Sequence, residues 1–334
     1  MGSGEISSLR RAEGAARGFD CNNWAGFVRI KSEGRQVIMI NKMRLIFLTV
    51  TALCLLPGLA SADSRISFRL TGGGTYISGG DVNPGTQDWF YYSKADWVTL
   101  WYRGYRPMHV GYEFCGDIIY ALTPRVGISI GAGYLRISRA SGMSLLTIVP
   151  ALSNGGAGAN PKLSAFPIRV GMHLTMPLSR KVSFLAEGGV SYYFNARYSD
   201  ELVTAKFIGE ILDSYKGITT SAEAKGVPLG FHGGLGFEYR LLPNIFLSLS
   251  ALGRYARFRT WEGSSEFELF EFLEGWTTFS EQGILYYELV PDLPDPPRLI
   301  TVQSSPSMTI GPEPRKAAID FSGVSLQFGI RIRL

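Results

Sequence analysis

Cysteine is scarce. Cys21, Cys54 and Cys115 are the only three in 334 residues, and Cys115 alone lies beyond residue 62. A lone cysteine excludes an internal disulfide framework and a cysteine-ligated zinc site from that part of the chain. Histidine is as rare, with three residues. No apolar run reaches the roughly 20 residues that a membrane-crossing helix needs. Lys and Arg outnumber Asp and Glu, 33 to 28, and leave a net charge of +5, but the cations are scattered singly rather than grouped. A phosphate-tracking surface needs grouped cations, so nucleic acid is not expected as a partner. Walker and HExxH patterns are missing, and "GGLGFEYR" lacks the strand-to-helix setting of a dinucleotide loop.

What is present points to β structure: 40 glycines alongside 13% aromatic residues. The longest apolar segment, Leu45 to Ala62, follows Lys42 and Arg44 and has its apolar core at Leu45–Leu56. A Pro-Gly break then leads to Ala60-Ser61-Ala62. These are the basic, apolar and small-residue parts of a secretory signal. Residues 39–62 are therefore expected to be a signal peptide and residues 1–38 an extension ahead of it. Leu53 before Cys54 excludes a lipobox.

From residue 63 onward the hydrophobic period is two, the period of a strand. Eight segments carry it. Ile66, Phe68, Leu70 and Tyr76 mark the first, and Met108, Val110, Tyr112, Phe114, Ile118, Tyr120 and Leu122 the second. The third has Val126, Ile128, Ile130, Ala132 and Tyr134; the fourth runs from Phe166 to Met176. The fifth includes Val182, Phe184, Val190, Tyr192 and Phe194, the sixth Val227, Leu229, Phe231, Leu235, Phe237 and Tyr239, and the seventh Ile245, Leu247, Leu249, Ala251 and Tyr255. The eighth, "GVSLQFGIRIRL", ends at the last residue. Short links ("LTPR", "MPLSR", "LLPN") alternate with long ones, near 80–106, 140–162, 199–225 and 260–318. In an up-and-down meander that alternation sends every short turn and both termini to one end and every long loop to the other.

One face of each segment is large and apolar. The other is small and polar, as in Gly127, Ser129, Gly131 and Gly133 or Gly230, His232, Gly234, Gly236 and Glu238. No amphipathic helix is evident to cover the apolar face. Glycine weakens a strand that merely faces water, whereas a closed eight-stranded barrel has an interior only just wide enough for side chains. Lipid in turn admits β structure only as a barrel without edges. The expected fold is all-β: a closed, eight-stranded, antiparallel up-and-down transmembrane β-barrel spanning residues 63–334. Tyr76, Tyr102, Tyr105, Tyr134, Tyr198, Tyr239 and Tyr255 are candidates for its interfacial girdle. A ten-stranded barrel is the alternative, because "GILYYELV" and "RLITVQ" flank "PDLPDPP".

A signal, eight alternating strands, short turns opposite long loops and a terminal strand together resemble the small outer-membrane barrels of the OmpW, OmpX and OmpA transmembrane-domain type. The likeness covers about residues 43–334, and "YALTPRVGISIGAGY" is its most family-like phrase. The resemblance implies an outer-membrane location in a Gram-negative-type bacterium, with loops outside and both termini periplasmic. It also implies contact with lipid and lipopolysaccharide, recognition of the C-terminal strand by the barrel assembly machinery, and a monomer. Leu334 stands where that assembly signal usually has Phe or Trp.

The inward register holds the candidate chemistry. Glu113, Glu187 and Glu238 face potential partners in Arg69, Arg125, Arg169, Arg240, Arg254, Arg331 and Arg333. A narrow lumen penalises unpaired charge, so a salt-bridge network is expected, as a plug in preference to the gate of a small-solute pore. His109, His173 and His232 also fall inward, but at different heights, and are expected to be ordinary lumen polar residues rather than metal ligands. Neither metal nor cofactor is expected. The long loops are expected to hold no histidine, which argues against the alternative of a barrel enzyme acting on lipid A or surface peptides. The fourth loop carries nine acids between Trp261 and Pro297 and no cation. It is expected to be a partly ordered surface loop.

Overall fold

The computed structural model describes residues 65–95, 100–102, 105–147, 153–209, 211–289, 298–305 and 314–334. The expected extension (1–38) and signal peptide (39–62) lie outside the described residues.

Eight strands form the barrel: β1 (Ile66–Ile77), β2 (Val110–Ala121), β3 (Val126–Ser138) and β4 (Lys162–Pro177), then β5 (Val182–Ile208), β6 (Leu229–Leu242), β7 (Ile245–Tyr255) and β8 (Gly323–Arg333). Each pairs antiparallel with the next, and β8 returns to β1 from Ser67↔Arg333 to Ile77↔Gly323. The ring is closed and no edge remains in it. The expected topology is the observed one.

The outward side chains are the predicted apolar ones. Ile130, Met172, Phe194, Phe231, Leu235, Leu326 and Phe328 each expose more than half of their surface. From Phe166 to Met176 the outward row of β4 runs ten residues, or about 25 Å of height at the tilt usual for such strands. That height matches the apolar band of a membrane barrel. No helix among the described residues is long and apolar enough to cross a membrane.

Between β2 and β3, Thr123 Oγ1 accepts from the Arg125 and Val126 N–H groups. Between β4 and β5, Ser179 Oγ does the same for Lys181 and Val182. Such hydroxyl-closed turns set the register of the strands they join.

β5 has 27 residues, far more than a membrane crossing requires. Where it leaves the apolar band, Asn195 adopts a positive φ of 51° and the pairing with β4 shifts between Ser164 and Phe166. This bulge reverses the alternation. Below it Val190, Tyr192 and Phe194 face outward; above it Ala196, Tyr198, Asp200 and Leu202 are buried. Tyr198 therefore sits in a core, not in the expected girdle. Tyr105, another girdle candidate, packs against Phe90.

Above the bulge, β5 becomes the centre of a second layer. Strands Ser153–Ala159 and Ile211–Ala224 flank it, and Trp261–Glu271, Gly275–Leu289 and Arg298–Gln303 continue the sheet. The acidic fourth connection is thus a β-hairpin. "GILYYELV" and "RLITVQ" pair with each other in this head rather than in the ring, which removes the ten-stranded alternative. Helix α1 (Val82–Ala95) opens with the Gly85 N–H bonded to the Asp81 carbonyl. It packs Trp89 and Phe90 against Ala157, Ala159, Leu202 and Leu299. This helix was not expected. It covers the head, not the apolar exterior of the barrel.

Candidate functional site

Inward positions are narrow because glycine makes them so. A Cβ on Gly131 would lie 2.0 Å from Asp117 Oδ1, and one on Gly133 would lie 2.6 Å from Cys115 Sγ. The missing side chains leave room for charged ones on the neighbouring strand.

Four guanidiniums and four carboxylates occupy that space, all at most one-tenth exposed: Arg69, Arg169, Arg254, Arg331, Glu113, Asp117, Glu187 and Glu238. Arg254 Nη1 lies 3.0 Å from Glu113. Arg169 stands 3.9 Å from Glu113 and 3.3 Å from Asp117. Arg69 joins Asp117 at 2.9 Å to Glu187 at 2.5 Å, and His173 completes the chain 3.9 Å from Glu187. A separate pair, Arg331 and Glu238 at 2.5 Å, closes the short-turn end. Hydroxyls add to this: Ser325 donates to Glu113 at 2.8 Å, and Arg254 donates to Thr75 and Ser325. Formal charge therefore cancels among these eight buried side chains, as low-dielectric burial requires.

Most residues expected in the network are in it, with one omission, and three of the expected arginines, Arg125, Arg240 and Arg333, lie outside it. Asp117 was not foreseen, although it shares the inward register of Glu113 four residues earlier. Arg125 is not in the lumen. It lies exposed in the β2–β3 turn, because a turn residue has left the alternation of the strand. Arg240 is exposed at the same end, and with Arg331 and Arg333 it stacks on the Phe246 ring at 4.7–5.7 Å.

The histidines are dispersed. His173 is buried beside Glu187. His232 Nδ1 shares a 2.8 Å hydrogen bond with Ser191 Oγ. His109 precedes the first ladder residue of β2, stacks on outward-facing Tyr76 at 4.8 Å and bonds the Ile77 carbonyl. It thus does not line the lumen, and its neighbour Met108, expected outward, is fully buried. Both departures have one cause: the alternation begins at Val110, not at Met108. Among the described residues no three His, Cys, Asp or Glu side chains are placed to hold a metal ion. Ser191 and His232 are a nucleophile and base at bonding distance, but Ser191 is 1% exposed.

Above the charges lies an aromatic cap. Tyr193, Phe258, Trp261 and Phe321 meet with ring centres 5.4–6.4 Å apart. Ile77, Leu135, Ile137, Leu163 and Ala165, the uppermost inward residues of β1, β3 and β4, pack into the same core. A short ladder, Arg257–Phe258 with Ile319–Asp320, holds the cap from above. Asp81 clamps the first connection to the last: Arg315 donates to both its oxygens at 2.6 and 2.7 Å, and the Ala318 N–H donates at 2.6 Å.

In the head, Asp200 is buried while accepting from Tyr198 Oη at 3.1 Å, Glu201 N at 2.8 Å and Asn160 N at 3.2 Å. Burial nevertheless pushes its carboxyl up to about 7. Tyr198 is raised above the usual tyrosine range, by burial first and by Asp200 second.

Strand order, closure and an apolar exterior over a charged interior define a small transmembrane β-barrel, the architecture of outer-membrane barrels. No family model matches the chain, and no curated protein matches it. Among solved structures it is similar to the outer membrane protein OprG from Pseudomonas aeruginosa, at 10% identity and TM-score 0.29, over 81% of this chain and 97% of that one. A major outer membrane protein from Thermus thermophilus is similar at 13% identity and TM-score 0.26, over 80% and 99%. The outer membrane protease OmpT from Escherichia coli is similar at 9% identity and TM-score 0.26, over 83% and 99%. Scores this low fix no detail of register or chemistry, so the fold assignment rests on the closed ring and its exterior.

Proposed function

We propose that this protein is a closed, non-enzymatic outer-membrane barrel that anchors a β-structured head at the cell surface. The carrying observation is the lumen: four guanidiniums and four carboxylates neutralise one another from Arg254 down to Arg331, beneath the Tyr193–Phe258–Trp261–Phe321 cap. A solute path would need these pairs to part, at a cost of several kcal/mol for each charge left alone. The same enclosure separates Ser191 and His232 from any substrate. With the short-turn end periplasmic, the upper part of β5 carries the head to about 30 Å beyond the apolar band at the same tilt, which suits display rather than transport.

Membrane fractionation followed by planar-bilayer recording tests this. The full chain is expected in the outer-membrane fraction, to shift in mobility on heating in detergent, and to give no step conductance. Lipid A from cells with and without the protein is expected to have the same mass spectrum. Steady single-channel openings by the wild type would overturn the closed barrel, and a changed lipid A pattern would overturn the non-enzymatic role.

A further inference from the structure

The cations look scattered along the sequence, but the topology gathers six of them. Arg65, Arg125, Arg180, Lys181, Arg240 and Arg333 all lie at the short-turn end, where the three turns meet the two ends of the barrel chain. Five are exposed and Arg333 is half-buried. Among the described residues no carboxylate side chain stands within ion-pair distance of any of them, since Glu238 is turned inward to Arg331. Several cations elsewhere pair with acids, as Lys206 does with Asp213 and Arg197 with Glu223.

Leucines accompany the charges. Leu122, Leu178, Leu241 and Leu242 sit in the same turns with 46–62% of their surface exposed. Two of the turns have the same construction. The N–H groups of Leu122 and Thr123 donate to Val126 O, and those of Leu178 and Ser179 donate to Val182 O, at 2.9–3.0 Å in each case. The Thr or Ser hydroxyl then closes the loop from inside. Each turn therefore presents a leucine and a cation on a rigid frame. A site for a free anion would want the cations without exposed leucines. A cation-and-leucine rim continuous with the apolar band fits the boundary where acyl chains end and phosphates begin.

We infer that this rim binds anionic phospholipid headgroups of the leaflet at the short-turn end, the phosphates taken by the turn cations Arg125, Arg180 and Lys181 and the acyl boundary by the four leucines. The inference rests on the barrel lying in lipid, as proposed above. It adds a lipid preference: a basic rim favours anionic headgroups by about fivefold per cation near the surface.

The test uses the full chain in mixed micelles of phosphatidylcholine and phosphatidylglycerol in equal amounts, with retained lipid counted by native mass spectrometry. Phosphatidylglycerol is expected in severalfold excess, and the excess is expected to fall with rising salt. It is expected to vanish in the variant carrying R125Q, R180Q and K181Q. The two-site variant R180Q with K181Q alters one exposed turn only and is expected to lose part of the excess; it keeps the test open should the threefold variant fold poorly. Equal retention of the two lipids by the wild type, or an unchanged excess in the folded variants, would overturn the inference. Displacement of phosphatidylglycerol by millimolar inorganic phosphate would mark a free-phosphate site instead and overturn it too. Insertion into pure phosphatidylcholine vesicles separates the two proposals. A protein that inserts there but shows no lipid preference sinks only this inference, whereas one that inserts into no bilayer sinks the barrel reading itself.

Discussion

Glu113 carries the heaviest duty of any single side chain in the lumen. It accepts from Ser325 at 2.8 Å and stands between Arg254 and Arg169. Glu113→Gln would leave Arg254 without its carboxylate and Arg169 with Asp117 alone, and breaking a buried pair costs about 3–5 kcal/mol. The unfolding temperature seen by heat-modifiable gel mobility is expected to drop, and to drop less for an exposed-carboxylate change such as Glu274→Gln. Gly131→Ala is expected to lower it as well, since the added Cβ would stand 2.0 Å from Asp117 Oδ1. Asp200 supplies the pH dependence of the head. Its folded carboxyl is raised from 3.8 to about 7 by burial, so the folded head holds that proton more tightly than the unfolded chain. The resulting stabilisation is full below about pH 4 and is lost as pH rises through 7. Asp200→Asn keeps an acceptor for the two backbone N–H groups and cannot ionise. Head unfolding followed by tryptophan fluorescence is expected to become flat between pH 4 and 7 and, at pH 8, to require more heat in the variant than in the wild type. At this scale the inward acids and arginines were legible because alternation assigns a face to every residue of a strand. Arg125 and His109 were misplaced because each lies just outside a strand, where alternation assigns nothing.

At the scale of elements, period two revealed all eight barrel strands, since lipid outside and charge inside sharpen the contrast between faces. The head was less legible. Its strands divide their buried residues between α1 and the core of the aromatic cap, and the bulge at Asn195 breaks the phase within β5. A reader who follows the barrel phase past Asn195 puts Tyr198 outside. Helix α1 was hidden by its own sequence, "VNPGTQDWFYYSKA", in which Pro and Gly occupy the first turn and no apolar stripe recurs. The bulge yields a sharp expectation. Deleting Asn195 moves Tyr198, Asp200 and Leu202 to the opposite face of the strand but leaves every residue below it in register. Limited proteolysis in detergent is expected to degrade the head of this variant while sparing a heat-modifiable barrel core. Loss of both parts together would mean that head and barrel fold as one unit.

For the whole molecule, the closed barrel proposed above has two barriers in series along its axis, and they differ in kind. The lower is electrostatic, built from strands that cross the apolar band; the upper is a packed apolar core drawn from the upper ends of β1, β3, β4 and β5 and from the segments flanking β7 and β8. On that reading either alone would stop ions, because an ion meeting the cap must shed its water and an ion meeting the lattice must displace a bound charge. The expected result is therefore non-additive. Trp261→Ala with Phe321→Ala removes the cap and is expected to leave bilayers silent, as is Glu113→Gln with Glu238→Gln, which breaks the lattice at its top and bottom. All four changes together are expected to give measurable conductance, provided that heat-modifiable mobility shows the ring still closed. Openings in the uncapped variant alone would show that the ion pairs part readily and that the cap does the sealing. Openings in the lattice variant alone would show the reverse.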